Sequence, residues 1–318
     1  MTPPEFWYAK RGWKSFTLAP LGLLWNAGGL LRRRFGRKPY RAKVPVICVG
    51  NIVIGGAGKT PTAIAMAKLL LKEGHKPVFV TRGYGGTELG PLRVDPARHT
   101  VTEVGDEALL LAQVAPVWIG RYRAGAVREA EKEGSHVILD DGMQNASVRP
   151  DVTLLVVNGA TGLGNECLIP AGPLRETLEN ALPRVSAAVL IGERDEKNIT
   201  SRIHQPVFRA RLRVDFPDNF PRNEKFVAFA GIGHPEKFYA LCRRAGLTLL
   251  STKDFADHHV FTATELQALQ KEANAKEARL LSTEKDWVRL PPDFRARVLT
   301  LPVRLTFDYP AAVLRTLD

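Results

Sequence analysis

The sequence has few cysteines, and they are widely spaced. Its 318 residues include only Cys48, Cys167 and Cys242. These three lie too far apart in the chain to form a zinc ligand set, and their odd number argues against a disulfide framework. A reducing, cytosolic setting is therefore expected.

The composition lacks the marks of disorder and of a fibrous architecture. Hydrophobic residues make up 45% of the chain and charged residues 25%, which are ordinary values for globular proteins. At about 150 residues per domain, the length suggests roughly two domains or one large one. There is no internal repeat and no low-complexity tract. The chain contains enough apolar material for a sizeable core.

Acidic residues are scarce at the start of the chain, where positive charge accumulates. The formal net charge is +12, of which residues 1–43 contribute +9 because they hold ten basic residues and a single acid, Glu5. The other 275 residues carry +3. A nucleic-acid-binding protein more often spreads positive charge over a recognition face, so we expect no nucleic-acid partner. A basic segment beside an apolar one instead indicates an anionic membrane surface.

The apolar stretch over residues 16–31 is too short to span a membrane. As a helix it would be about 24 Å long, whereas the hydrocarbon core is roughly 30 Å thick. Pro20 weakens a spanning helix further. Three arginines, Arg32–Arg34, stand where a signal peptide would need a small-residue cleavage site. We therefore predict an interfacial helix with a basic cluster; the alternative is a helix that packs on the protein's own core.

After residue 43, short β-branched runs alternate with helical periodicity, which is typical of a parallel α/β sheet. We predict strands at residues 44–49, 77–80, 117–120, 137–139, 152–157 and 188–191. We predict crossover helices at residues 62–72, 107–113 and 122–133. The pattern indicates one doubly wound layer with its functional groups at the carboxyl ends of the strands.

A proline-rich stretch at residues 216–221 interrupts this pattern and is a candidate linker. Beyond it we predict strands at residues 225–231, 280–282 and 298–303, and helices at 235–245 and 262–276, the second with Thr262 as N-cap. The chain is thus expected to have three regions. They are a membrane-surface segment over residues 1–43, a core domain over 44–215, and a smaller α/β domain over 216–318 whose last segment can return to the core.

The most specific motif is a glycine-rich turn between a buried strand and a helix. Its residues are Gly55, Gly56, Ala57, Gly58, Lys59, Thr60 and Pro61. Backbone N–H groups of such a turn surround an anion, the lysine reaches the β- and γ-phosphates, and the threonine hydroxyl binds Mg²⁺. The strict pattern requires glycine at Val53, and the turn instead resembles the deviant form K-G-G-x-G-K-T, with Ile54 in place of its extra lysine. A glycine-rich turn without a ligand is the alternative.

A second predicted strand ends in two acids, Asp140 and Asp141. This arrangement puts a carboxylate beside the metal of a P-loop nucleotide site. Because adjacent strand residues point to opposite faces, the two aspartates are expected to differ in role. An Asp-Asp-Gly sequence on its own is more often a turn. Together with the loop it predicts ATP and Mg²⁺ as cofactors, with Thr60, Asp140 and Asp141 as the metal-binding set.

Eight segments, in order along nearly the whole chain, resemble the tetraacyldisaccharide 4'-kinase (lipid A 4'-kinase) family. They are residues 4–8, 50–61, 81–85, 104–107, 140–144, 170–176, 255–259 and 283–286. The resemblance implies a P-loop kinase of two domains with the active site in the cleft between them. It implies ATP-dependent phosphorylation of the 4'-hydroxyl of a lipid substrate, tetraacyldisaccharide 1-phosphate, to give lipid IVA. It also implies a location at the cytoplasmic face of the bacterial inner membrane, and we expect a monomer there.

The resemblance also implies roles for single residues. Asp106 is the expected general base, assisted by His258, and Lys59 and Asp141 complete the catalytic set. A carboxylate within about 3 Å of a sugar hydroxyl can accept its proton. The expected substrate contacts are Arg82, Tyr84, Glu107, Gln144 and Arg175. From the residues alone, Asp106 would be an ordinary helix N-cap, and His258 would not be separable from its neighbour His259.

Two positions leave alternatives open. Asn145 stands where many family members have histidine, and a neutral amide cannot take over a titratable role. Arg175 either stabilises charge on the transferred phosphoryl group or binds the substrate phosphate, since its guanidinium fork matches phosphate oxygens. Its alternative is a salt bridge with Glu176 or another nearby acid.

Two other functions compete with a lipid kinase. A membrane-associated ATPase switch of the partitioning or targeting kind would use a deviant loop. Such proteins use an extra lysine of this loop between monomers, and here Ile54 stands at that position. A soluble small-molecule kinase would leave the N-terminal segment without a use. ATP consumption measured with and without the lipid disaccharide separates these hypotheses.

Overall fold

A computed structural model describes residues 4–35 and 38–317, and the side chains of residues 30–35 lie outside that description. The chain divides into two compact units. The larger comprises residues 4–212 and 305–317, and the smaller comprises residues 213–304.

Thirteen strands and eleven α-helices occur in the described part of the chain. The strands are β1 (Val46–Gly50), β2 (Pro77–Thr81), β3 (Leu92–Arg93), β4 (Val117–Ile119), β5 (His136–Asp140), β6 (Val152–Asn158), β7 (Ala187–Ile191), β8 (Val207–Val214), β9 (Lys225–Ala230), β10 (Thr248–Asp254), β11 (Arg279–Thr283), β12 (Val298–Leu301) and β13 (Val303–Phe307). The helices are α1 (Trp13–Phe35), α2 (Lys59–Lys72), α3 (Val101–Val104), α4 (Asp106–Ala112), α5 (Arg123–Ala130), α6 (Leu178–Ala181), α7 (Pro235–Arg244), α8 (Ala263–Ala275), α9 (Glu284–Trp287), α10 (Pro292–Arg295) and α11 (Pro310–Leu314).

The larger unit is built on a mostly parallel sheet with the order β13-β8-β7-β6-β1-β5-β2-β4-β3. Strand β1 lies between β5 and β6 and is parallel to both, with Val49 opposite Asp140 and Leu154. All five residues of β1 are buried because helices cover both faces of such a sheet. The loop after β1 and the acids at the end of β5 therefore meet at one edge of the sheet. The predicted α/β fold class with a large, mostly parallel sheet is confirmed.

The smaller unit has a parallel sheet with the order β10-β9-β11-β12. Phe226 and Phe229 on β9 are fully buried and belong to two hydrophobic clusters, one on each face of the sheet. The proline-rich stretch taken as a linker packs against this core: the rings of Phe216 and Phe220 are 4.8 Å apart, and Phe220 is 6.0 Å from Phe226. Its aromatic side chains thus contribute to the smaller unit.

One strand prediction was wrong. Residues 298–303 form two strands, because Pro302 lacks the backbone N–H needed to continue a ladder. Strand β12 pairs with β11, whereas β13 lies beside β8 in the larger sheet. Strands β3, β8 and β10 were not predicted. Strand β8 carries charged residues between apolar ones, and β10 ends in polar and charged residues, so neither has a continuous apolar run.

Helix α1 is longer than the apolar stretch that predicts it and has two contrasting sides. Its Ser15 is buried, and a Cβ at Gly22 would lie 3.0 Å from the Leu168 side chain, so this side packs on the larger unit. Large exposed side chains on the helix are Trp13, Phe16, Leu21, Leu23, Leu24 and Trp25. None of the described helices combines the length and the hydropathy of a membrane-spanning segment. The basic side chains of Arg32–Arg34 and Arg37, part of the predicted cluster, lie outside the described residues.

Candidate active site

The glycine-rich turn after β1 has a backbone that only glycine adopts readily. Gly55 and Gly58 have φ values of 115° and 93°. A Cβ at Gly58 would lie 2.4 Å from Cδ1 of Ile191, so a side chain does not fit there. Helix α2 begins at Lys59, directly after Gly58, and Pro61 lies in its first turn, where the missing N–H is tolerated. The turn therefore presents a helix N-terminus suited to an anion.

Lys59, the first residue of α2, extends across the turn. Its Nζ lies 3.4 Å from Oδ1 of Asn51 and 3.7 Å from Oδ1 of Asp141. The ammonium is thus held between the end of β1 and the end of β5. This is where a lysine can meet the terminal phosphates of a nucleotide.

Asp140, the last residue of β5, receives a 3.0 Å hydrogen bond on Oδ2 from the hydroxyl of Thr60. The side chain is only 1% exposed, and within the described ranges its Oδ1 has no hydrogen-bond partner. Burial raises the pKa of this carboxyl to about 7, and the charges of Glu107 and Asp141 add to the rise. A buried carboxylate with a free oxygen beside a threonine hydroxyl fits the oxygen ligands that Mg²⁺ prefers.

Asp141 has different partners. It adopts a left-handed conformation with φ 55°, which turns the chain at the end of β5. Its two carboxylate oxygens lie 3.0 and 3.1 Å from Nη1 of Arg175. Burial raises the pKa of Asp141, but Lys59 and Arg175 outweigh that effect and bring the pKa below its ordinary value. This acid is therefore an ionised partner of two cations.

A hydrogen-bonded network fixes Arg175. Its Nη1 also donates to Oε1 of Gln144 at 3.0 Å, and Nε2 of Gln144 donates to Oε1 of Glu176 at 3.1 Å. Glu176 is ion-paired with Arg184. The acid that pairs with Arg175 is thus Asp141, and the adjacent Glu176 takes another arginine. A guanidinium held in this way is preorganised for an anion at the same edge of the sheet.

Asp106 is the first residue of α4 and lies where the loop after β2 closely approaches the start of this helix. Gly105 is the N-cap, with φ 83°, and a Cβ on it would lie 2.3 Å from the carbonyl oxygen of Tyr84. Asp106 is therefore not the N-cap, because Gly105 already turns the chain. Its buried carboxylate accepts a 2.8 Å hydrogen bond from the amide of Glu107. Since Glu107 contributes to the raised pKa of Asp140, these residues share one electrostatic environment.

The structure also reveals a buried arginine that the sequence interpretation missed. Arg123 opens α5 and is 4% exposed, and its Nη1 donates to the carbonyl of Gly120 at 2.7 Å. Burial lowers its pKa to about 10; the nearby charge of Asp141 raises this pKa, and that of Arg82 lowers it. Arg82 itself is exposed. A signal was present: a cation in the first turn of a helix is unfavourable with the helix dipole and calls for another role.

In the smaller unit the two adjacent histidines differ. His259 places Nε2 at 2.9 Å from a carboxylate oxygen of Glu265, and its ring stacks on Phe255 at 4.9 Å between centroids. His258 has φ 59° and lies with Nε2 at 3.4 Å from Nζ of Lys285. Packing therefore commits His259 to the fold, and His258 is the better candidate for chemistry.

The chain is similar over its whole length to kinases of one kind. A family model described as tetraacyldisaccharide-1-P 4'-kinase matches residues 14–318. The chain is 48% identical over 324 residues to the tetraacyldisaccharide 4'-kinase of Paramagnetospirillum magneticum, covering 100% of this chain and 98% of that protein. It is 46% identical over 326 residues to the protein of the same name from Rhodospirillum centenum, covering 100% and 96%. A crystal structure described as the "apo" form of LpxK from Aquifex aeolicus in complex with ATP covers 96% of this chain and 99% of its own, with a TM-score of 0.76 at 23% identity, which supports the fold.

Proposed function

This chain belongs to the tetraacyldisaccharide-1-phosphate 4'-kinase family, and from that premise we propose that it phosphorylates the 4'-hydroxyl of a tetraacylated glucosamine disaccharide 1-phosphate with ATP, giving lipid IVA in lipid A biosynthesis. The observation that carries this proposal is the meeting of the glycine-rich turn with Asp140 and Asp141 at one edge of the sheet. Phosphoryl transfer needs positioning and charge neutralisation more than covalent chemistry, and this edge provides both.

The nucleotide phosphates would bind at the N-terminus of α2, with Lys59 on their terminal oxygens. Thr60 and Asp140 are the residues that would hold Mg²⁺, since they offer a hydroxyl and an unsatisfied carboxylate oxygen. A bound Mg²⁺ supplies Lewis-acid stabilisation of negative phosphate oxygens. Asp141 holds Lys59 and Arg175 near the same point, so that both cations are already oriented for a charged group.

We propose Asp106 as the general base that takes the proton of the acceptor hydroxyl, and His258 of the smaller unit as its assistant. The support for Asp106 is its burial at the start of α4 next to Glu107, which keeps the carboxylate in a low-dielectric site. The candidate substrate contacts Arg82 and Tyr84 are on the exposed loop after β2, from which they can reach a bound molecule.

We propose that Arg175 and Arg123 stabilise negative charge on phosphate groups. Arg175 is held by Asp141 and Gln144. Arg123 is buried close enough to Asp141 and Asp140 for their charges to act on its guanidinium. A fixed guanidinium strengthens binding where charge develops, because little reorganisation is needed during the reaction.

We propose that α1 lies on the cytoplasmic surface of the inner membrane, where the lipid substrate is anchored. Its exposed apolar side chains support this location, and Trp25 links the helix to the site through a 3.0 Å hydrogen bond from Nε1 to the carbonyl of Arg175. Phe16→Ser/Leu24→Ser should lower sedimentation with anionic liposomes. Leu212→Ser, at an exposed apolar residue elsewhere, should leave it unchanged, and equal sedimentation of all three proteins would contradict the proposal.

The test of the function is incubation with radiolabelled ATP and a tetraacylated disaccharide 1-phosphate in detergent micelles. Labelled lipid should form with the wild-type protein, and Lys59→Ala should weaken both ATP binding and rate. Asp106→Ala should lower kcat about 10²-fold or more with ATP affinity retained, as expected for a general base. ATP hydrolysis that ignores the lipid but depends on protein concentration would instead favour the membrane ATPase switch.

A further inference from the structure

The segment Thr283–Asp286, singled out in the sequence but without an assigned role, lies at a strand end in the smaller unit. Strand β11 ends at Thr283, and β9, its parallel neighbour, ends just before Gly231. Carboxyl ends of parallel strands meet at the same edge of a sheet. The residues that follow the two strands are therefore in contact there.

Asp286 and Arg289 form a buried clamp on Gly231. Asp286 is 0% exposed and accepts hydrogen bonds from the amide of Gly231 at 3.1 Å and from the hydroxyl of Thr283 at 2.6 Å. Nη1 of Arg289 lies 3.0 Å from the same carboxylate and donates to the carbonyl of Gly231 at 2.8 Å. Both polar groups of the Gly231 backbone are thus fixed by a buried ion pair.

The clamp in turn holds the backbone of His258. The amide of His258 donates to the carbonyl of Gly231 at 3.2 Å. Its φ of 59° is in the left-handed region, which is unfavourable for a non-glycine residue and persists only where the surroundings enforce it. A Cβ at Gly231 would lie 3.1 Å from both the carbonyl of Ala256 and Oδ1 of Asp286, so the approach of these segments depends on glycine.

Lys285 acts on the imidazole itself. It lies within the single turn of α9, whose N-cap Thr283 accepts a 3.0 Å hydrogen bond from the amide of Asp286. Its Nζ lies 3.4 Å from Nε2 of His258 and 3.8 Å from Oδ1 of Asp257. An ammonium can only donate, so a hydrogen bond from Nζ of Lys285 requires Nε2 to accept and the ring hydrogen to lie on Nδ1. Oδ2 of Asp257, an acceptor that would favour a hydrogen on Nε2, is farther from this nitrogen, at 3.8 Å.

We propose that Lys285 is a positioning residue for the phosphoryl transfer, because it holds His258 as the Nδ1–H tautomer on a turn fixed by the Asp286–Arg289 clamp. In this tautomer the ring hydrogen is on Nδ1, so Nδ1 is the nitrogen that donates and Nε2 the one that accepts. The inference rests on the proposed function for the use of His258, whereas the tautomer itself does not depend on that function.

The direct test is nitrogen NMR of the full chain with ¹⁵N-labelled histidine, recorded above the ordinary titration range of histidine. His258→Gln identifies the signals of this ring. The wild-type protein should show the hydrogen on Nδ1, and Lys285→Met should move the ring toward the Nε2–H form, which is the usual one in water. A hydrogen on Nε2 in the wild type, or an unchanged ring in Lys285→Met, would overturn the proposal.

The kinetic arm uses the same variants with the lipid acceptor. Lys285→Met should lower kcat about tenfold with the KM for ATP unchanged, and Lys285→Arg should recover part of the loss because it keeps a donor. Lys276→Met, at a lysine that pairs with Glu272 at the end of α8, is the matched control and should behave as wild type. A tautomer change without a change in kcat would overturn the role in catalysis. A wild-type protein without kinase activity would contradict the proposed function, while the NMR comparison would still decide the role of Lys285 in orienting His258.

Discussion

Each unit of the molecule buries an aspartate beside the end of a parallel strand, and the two carboxylates are satisfied differently. Asp286 in the smaller unit is 0% exposed and binds an amide, a hydroxyl and an arginine. Asp140 in the larger unit is 1% exposed, and its one hydrogen bond within the described part of the chain comes from Thr60. Burial raises the pKa of both groups.

We propose that this difference separates a structural acid, Asp286, from a ligand-binding one, Asp140. A buried charge is costly unless it is paired and hydrogen-bonded, and Asp286 meets both conditions within the fold. Asp140 accepts a hydrogen bond from Thr60, and a cation beside its other oxygen, as we propose, would supply the missing partner. Burial and raised pKa alone would not distinguish the two residues, whereas the partners of each oxygen do.

The largest expected effect is that of Asp140→Asn on turnover. The amide keeps the size of the side chain but removes the charge that would bind Mg²⁺, so kinase activity should fall about 10³-fold, or about 4 kcal/mol in the activation free energy. The unfolding free energy without nucleotide should stay the same or rise, because a poorly satisfied buried charge is gone. Steady-state kinetics and thermal unfolding measure the two quantities.

Asp293→Asn, at an exposed residue of α10, is the control for the chemical change and should alter neither quantity. An Asp140→Asn protein that unfolds more easily but turns over normally would reverse the comparison, since Asp140 would then be the structural acid.

The next effect is on stability. Asp286→Ala leaves Arg289 buried without its anion and should lower the stability of the smaller unit by about 3–5 kcal/mol. Amide hydrogen exchange in β9 and β11 measures this loss. Nucleotide affinity should change less than twofold, because the residues proposed to bind the nucleotide lie in the larger unit. The double variant Asp286→Ala/Arg289→Met should recover part of the loss, and failure to recover would mean that the ion pair is not its cause.

The third prediction concerns pH. With the pKa of Asp140 raised from 3.8 to about 7, the nucleotide-free fold binds this proton more tightly than the unfolded chain does. Asp140 should therefore make stability decline as pH rises from about 4 to about 7. Binding of a magnesium nucleotide should show the opposite trend, weakening about tenfold per unit below pH 7, since the cation must displace the proton.

Isothermal titration with Mg·ADP across this range checks the pH dependence. Asp140→Asn should remove the slope, and a wild-type affinity independent of pH between 5 and 7 would contradict the raised pKa.

The smallest effects are expected from the two hydroxyls that bind these acids. Thr283→Val removes both the N-cap of α9 and a hydrogen bond to Asp286, and should cost about 0.5–2 kcal/mol of stability with little change in kcat. Thr60→Val should do the reverse, leaving stability close to wild type and lowering kcat. Urea unfolding and kinetics on both variants compare them, and equal profiles for the two would remove the distinction between the sites.

Much of the fold was predictable because its signals are local. The alternation of apolar runs with helical periodicity gave the parallel sheet, and Thr262 was correctly predicted as the N-cap of α8. The predictions failed where long-range pairing decides. Strand β13 is separated from β12 only by Pro302, yet it lies in the other sheet, and β8 shows charged side chains along its length.

The candidate site was predictable to a similar degree. Sequence order alone indicated that Lys59 and Thr60 would meet the acids that end β5, because neighbouring parallel strands deliver their loops to one edge. It did not give the partner of Arg175, which is Asp141, or the burial of Arg123. Those facts depend on contacts between residues tens of positions apart.

By itself the sequence determined which chemical groups are present: a glycine-rich turn, a lysine and a threonine at a helix start, and acids at a strand end. Each of these is fixed by neighbours a few residues away, so the local pattern is enough. Only the tertiary structure decided which buried carboxylate has an oxygen without a hydrogen bond among the described residues, and which of the two histidines packs in the core. Burial and pairing are properties of the whole fold, and they set the raised pKa of Asp140 and the partners of Asp286.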